Sequence, residues 1–292
     1  MTATGPLLLS ALLTCAAYSA AAVRLRRRGD AWPWWREACC WLSGAVFAAG
    51  AAVPWEAWPM PFTGHMAAHL AAGMIAPVPA VLARPVTLAL RALPVPGRRA
   101  LLAVLRSPPA AFLAFPPVAA TLDIGGLWLL YRAPLPPQLH HSPWLYVHLF
   151  AAGWLFTFAV LALDPVRHRP SLALRAATLL AAAAAHAVLA KTLWTAGPPG
   201  TAYAPADLHR ASRLMYYGGD AVEIALAVTL AAHWYRAQGR ALARRSPAGR
   251  RHAQDPGHAH RPGGVLAAAP PERAARPLRP SDERPRHQEA PR

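Results

Sequence analysis

The sequence lacks the short motifs that identify common enzyme classes. It has no Gly-rich phosphate-binding loop, no nucleophile elbow and no Cys-x-x-Cys redox pair. Its three cysteines, Cys15 and the adjacent Cys39 and Cys40, lie in apolar segments, a position typical of buried, unreactive thiols. These absences favour a binding role over an enzyme, and we expect the chain to have no catalytic residues.

Charged residues are also scarce, at 15% of the chain, whereas hydrophobic residues make up 55%. The apolar runs are long enough to cross a bilayer, so the sequence predicts an all-α, polytopic membrane helix bundle. A net charge of +17 could indicate nucleic-acid binding. However, the arginines are concentrated in short loops and a tail, which the positive-inside rule explains better. We therefore expect contact with membrane lipid and no nucleic-acid partner.

Seven membrane spans are predicted from the apolar runs. They cover approximately 7–23, 38–53, 65–82, 110–131, 143–163, 172–194 and 214–235. Residues 1–236 would then form one seven-helix transmembrane domain. Most arginines outside the tail lie in alternate loops, which places the N-terminus outside and the C-terminus in the cytoplasm. Residues 237–292 have little apolar surface to bury, so we expect a disordered basic tail.

The most informative polar residues are two histidines near the start of the third span. His65 and His69 are four residues apart, so a helix places both imidazoles on one face. Met66 lies beside them, and imidazole together with thioether suits copper better than magnesium or calcium. Because polar and ionisable groups are costly inside a membrane helix, these residues are functional candidates.

Other spans carry polar residues at a similar predicted depth. At a helical rise of about 1.5 Å per residue, they lie roughly 8–12 Å below the outer surface. The predicted metal ligands are His65, His69, His148, Met66 and Met215. The predicted supporting residues, which would orient ligands or pair with charges, are Asp123, His186 and Asp220. The alternative is that all these groups only form hydrogen bonds between helices.

Three segments of the sequence resemble one protein family. They are 64–77, which reads Gly-His-Met-Ala-Ala-His-Leu and ends in Ala-Pro, 140–165, which ends in Asp-Pro, and 207–220, which begins and ends with Asp. These motifs are similar to those of the caa3-type cytochrome c oxidase assembly factors, a family of multi-span bacterial membrane proteins. The last motif departs from the family pattern at Leu208, Ser212 and Tyr216. The resemblance covers about residues 38–238.

This resemblance implies help in maturing a haem-copper oxidase in the bacterial plasma membrane. Copper delivery or insertion at an outer-facing His/Met site would fit that role, with a haem-copper oxidase subunit as partner and an extracytoplasmic copper chaperone as a second candidate partner. A transporter or channel for copper or protons is the alternative. It would need polar groups that reach the inner leaflet, whereas the inner half of the fifth span is apolar.

Overall fold

The protein is helical throughout the part of the chain that the structure describes. This computed structural model describes residues 4–52, 54, 57–136, 142–165 and 169–245. Within these ranges there are helices and no strands, which confirms the predicted all-α class. The helices are α1 (Gly5–Arg27), α2 (Trp34–Ala52), α3 (Pro61–His69), α4 (Pro77–Leu82), α5 (Pro85–Ala92), α6 (Val95–Arg106), α7 (Pro108–Leu113), α8 (Pro116–Arg132), α9 (Pro143–Leu161), α10 (Leu172–Thr195) and α11 (Pro205–Arg245).

Five helical segments of the described chain are long and apolar enough to cross a membrane. They are Gly5–Arg27, Pro61–Leu82, Trp144–Leu161, Leu172–Thr195 and Pro205–Leu242. The protein is therefore a multi-pass membrane protein. The second predicted span is helical, as α2 with 19 residues, and the fourth is divided between α7 and the 17-residue α8. Neither is among these five. The count of seven spans stays a prediction.

The last helix is longer than the predicted span at both ends. It begins at Pro205, a residue suited to the first helical turn because its missing amide would have no partner there. It ends at Arg245, beyond the predicted start of the tail at 237. The chain divides into two compact units, 1–240 and 241–292, and residues 246–292 lie outside the described residues.

The third span contains a change of helical geometry. Residues Leu70–Ile75 form a π-helical turn, in which the amide of Ala76 donates to the carbonyl of Ala71 at 2.9 Å. Pro77 comes after Ala76. Proline has no N–H to donate to the carbonyl of Gly73, and in a regular α-helix its ring would clash with that carbonyl. The wider turn accommodates this proline. Such turns are frequent at functional sites, and the histidine pair lies immediately before this one.

Small residues let two neighbouring helices approach the third span closely. A Cβ at Gly153 of α9 would collide with the carbonyl of Gly73. A Cβ at Gly50 of α2 would lie 3.0 Å from the carbonyl oxygen of Ala68. Helices in membranes commonly pack through small residues of this kind. The third span therefore lies tightly between α2 and α9.

Candidate functional site

A buried aspartate from the last helix binds the start of α3. The carboxylate of Asp207 accepts hydrogen bonds from the backbone amides of Phe62 at 2.9 Å and Thr63 at 2.8 Å, and from the Thr63 hydroxyl at 2.6 Å. The first amides of a helix have no partner within it, so Asp207 caps α3 from another helix. This contact positions His65, which lies less than one turn further along α3.

A second buried aspartate has the same role at α5. Asp164, in the loop after α9, accepts a hydrogen bond from the amide of Thr87 at 2.9 Å and another from its hydroxyl. Both α3 and α5 begin with proline and have no capping side chain next to them in sequence. Both aspartates lie in the sequence motifs described above, but those motifs did not indicate a capping role. A helix start without its own cap was the signal that could have indicated it.

His65 is buried and hydrogen-bonded within the bundle. Its Nε2 lies 3.1 Å from the hydroxyl oxygen of Tyr131, at the end of α8. Its ring is parallel to that of Phe62, with 6.3 Å between centroids. Tyr131 is fully buried, and it was not among the predicted site residues because in the sequence it only marks the end of a span.

His69 lies beside His186 of α10. The ring centroids are 6.5 Å apart, and the two residues are only 2% and 1% exposed. The ring nitrogens of both histidines have no hydrogen-bond partner among the described residues. Nδ1 of His186 does lie 3.4 Å from Oε1 of Glu223, an ion-pair distance without hydrogen-bond geometry. Since most buried polar atoms have a hydrogen-bond partner, these four nitrogens require an explanation.

The last helix supplies both space and charge around His186. A Cβ at Gly219 would overlap the His186 imidazole, so this ring can occupy its position only because residue 219 has no side chain. Asp220 interacts electrostatically with His186 and with Glu223. Asp123 of α8 interacts with Glu223 in turn. The buried Glu223 and the half-buried Asp220 therefore lie around His186, and the half-buried Asp123 is linked to them through Glu223.

The remaining predicted ligands are placed differently. His148 is exposed on α9, and its Nε2 lies 3.1 Å from where a Cβ of Gly126 would be. Met66 and Met215 are completely buried in one large apolar cluster. Across the described ranges, no group of three or more His, Cys, Asp or Glu side chains could hold a metal ion. Of the predicted residues, the structure thus brings His69 together with His186, and it places His148 against α8.

Comparison with known proteins identifies the family. Residues 16–237 match the cytochrome c oxidase caa3 assembly factor family. The chain belongs to this family. The match confirms the resemblance inferred from the sequence motifs and contains every predicted site residue.

The curated relatives of this caa3 assembly factor family member are longer proteins. Uncharacterized proteins of Mycobacterium bovis and Mycobacterium tuberculosis are each 35% identical to it over 192 residues, 61% of this chain and 29% of theirs. An uncharacterized protein of Mycobacterium leprae is 31% identical over 253 residues, 78% of this chain and 38% of its own length. The chain therefore spans well under half of these relatives. No solved structure matches it.

Proposed function

We propose that this protein assists the assembly of a haem-copper oxidase by binding copper(I) between His69 and His186. The observation that carries this proposal is a pair of adjacent, buried imidazoles from different helices whose nitrogens have no hydrogen-bond partner among the described residues. Imidazole is a good ligand for copper. Glu223, 3.4 Å from His186, is the kind of acidic neighbour that orients a ligating histidine.

Two methionines of the same bundle are further candidate donors. The apolar cluster of the bundle contains the thioethers of Met66 and Met215, which are soft donors suited to copper(I). His65 lies one turn before His69 and is held by Tyr131. In this proposal the pair receives the ion from an extracytoplasmic copper chaperone and passes it to a haem-copper oxidase subunit.

The proposal requires the start of the third span to face outside, as the arginine distribution predicts. Reporter fusions after Gly29 and within the 198–206 loop measure this orientation. We expect a cytoplasmic signal from the first and an external signal from the second. Reversed signals would place the start of the span in the cytoplasm and contradict delivery from outside.

A transporter or channel is the second candidate, and the inner half of α9 disfavours it. Thr157 is the single polar residue of 152–161. The buried cation nearby, Arg175, donates to the carbonyls of Val160 and Leu161, each at 3.1 Å, and so stabilises the end of α9. Neither group extends the histidine cluster into a polar path across the bundle.

Copper(I) binding by the purified full chain tests the proposal. X-ray absorption spectroscopy of the wild type should show copper(I) with imidazole nitrogen ligands. The double variant His69→Ala with His186→Ala should lose this species, and cells that carry it should show low oxidase activity that added copper restores. His148→Ala is the matched control and should keep both. A folded double variant that retains imidazole-bound copper would contradict the proposal.

A further inference from the structure

Helices α1 and α2 bring two cysteine thiols together. The Sγ atoms of Cys15 and Cys40 are 4.0 Å apart, and Sγ of Cys15 also lies 3.5 Å from the carbonyl oxygen of Cys40. Gly44, one turn after Cys40, makes room for this pair, because a Cβ there would lie 2.7 Å from Sγ of Cys15. The two thiols are 25 residues apart in sequence, so only the packing of α1 on α2 makes them neighbours.

The pair lines a cavity between the helices. The cavity has a volume of about 300 Å³, and its other walls come from α4, α5 and α9. Three of its hydroxyl groups already donate hydrogen bonds: Ser10 and Thr14 donate to carbonyls of α1, and Tyr18 donates to the carbonyl of Ala83 at 2.7 Å. The two sulfur atoms are softer metal ligands than these oxygens.

We propose that Cys15 and Cys40 form a thiolate site for one copper(I) ion. Metal–thiolate bonds of about 2.3 Å, the length known for zinc, would join two sulfurs 4.0 Å apart at an angle of about 120°. Soft thiolate ligands select copper(I) over harder ions. Binding releases both thiol protons, so the ion with its two thiolates carries one net negative charge.

The start of α2 carries a cation and an anion next to each other, Arg36 and Glu37, and Glu37 pairs with Arg26. Arg36 lies four residues before Cys40, a spacing that places the two side chains on one helical face. Its guanidinium carbon is 4.5 Å from the ring centroid of Trp32, which keeps the charge at the end of the helix.

The site goes beyond the proposed histidine pair and does not depend on it. Cys15 also precedes the residues that match the family.

The test measures copper(I) stoichiometry on the purified full chain under anaerobic, reducing conditions. The variant Cys15→Ser with Cys40→Ser should bind one ion fewer than the wild type. Cys39→Ser is the matched control, because Cys39 adjoins the pair in sequence without contributing a thiol to it, and it should bind as the wild type does. His69→Ala with His186→Ala should keep an ion whose X-ray absorption spectrum shows sulfur ligands. Equal stoichiometry in the serine double variant and its control would overturn the proposal.

Thiol labelling of the unmodified chain gives a second measurement that does not rely on the folding of a variant. Copper(I) should protect Cys40, the more exposed thiol of the pair, from N-ethylmaleimide, as mass spectrometry reports, while Cys39 is labelled equally with and without the ion. Equal labelling of Cys40 in copper-treated and copper-free protein would overturn the thiolate site. The histidine proposal would be unaffected by that result, because its own readout is nitrogen coordination.

Discussion

The two capping aspartates and the two neighbouring histidines are equally buried but differ in their hydrogen bonding. Asp207 is 4% exposed and accepts three hydrogen bonds at the start of α3. Asp164 receives hydrogen bonds from Thr87 at the start of α5. His69 and His186 are buried to a similar extent, yet their nitrogens have no hydrogen-bond partner within the described chain.

This difference separates residues that hold the bundle together from residues that are available to bind. A carboxylate that caps a helix in another part of the chain stabilises the fold, because its removal leaves buried amides without an acceptor. A buried imidazole without a hydrogen bond destabilises the fold relative to an apolar side chain of similar size. The presence of such an imidazole is better explained by ligand binding than by stability. Substitution of a capping aspartate should therefore lower the free energy of unfolding, whereas substitution of one of these histidines should not.

Asp207→Ala should have the largest effect on stability. It leaves the amides of Phe62 and Thr63 without an acceptor, so we expect the free energy of unfolding to fall by about 2–3 kcal/mol. Asp207→Asn keeps one acceptor oxygen and should lose less. Thermal unfolding of both variants in detergent measures the difference. If both variants unfold as the wild type does, Asp207 is not the cap on which α3 depends.

Gly219→Ala should lower both the stability of the fold and the affinity for copper(I), with an intermediate effect on stability. The added methyl group would overlap the His186 ring, and such overpacking costs about 1–3 kcal/mol. It should also weaken imidazole coordination of copper(I), because the ring must move. Gly125→Ala is the control, since a Cβ there would meet only Thr121, at 3.8 Å. Copper binding that is unchanged in Gly219→Ala would show that the position of His186 does not matter to the site.

The sequence predicted the helical class and the family because both depend on local patterns. Apolar runs identify spans, and the spacing of His65 and His69 identifies a helical face. It could not show that His69 would lie beside His186, because that contact depends on where the bundle places α10 relative to the third span. The same limit explains His148, whose predicted depth was similar but whose side chain is exposed. Depth along a helix does not determine the direction in which a side chain points.

Replacing His69 with leucine should have the smallest effect on stability and the clearest effect on binding. Leucine has a similar volume and removes two buried nitrogens without hydrogen bonds, so the free energy of unfolding should stay equal or rise by about 1 kcal/mol. Imidazole-bound copper(I) should be lost nonetheless. His65→Leu is the matched comparison: it removes the hydrogen bond to the buried Tyr131 hydroxyl, so it should cost about 1–3 kcal/mol. Denaturation of both variants, with copper(I) titration of each, separates the two roles. If His69→Leu destabilises the chain as much as His65→Leu, then His69 supports the fold, and its assignment as a copper donor is wrong.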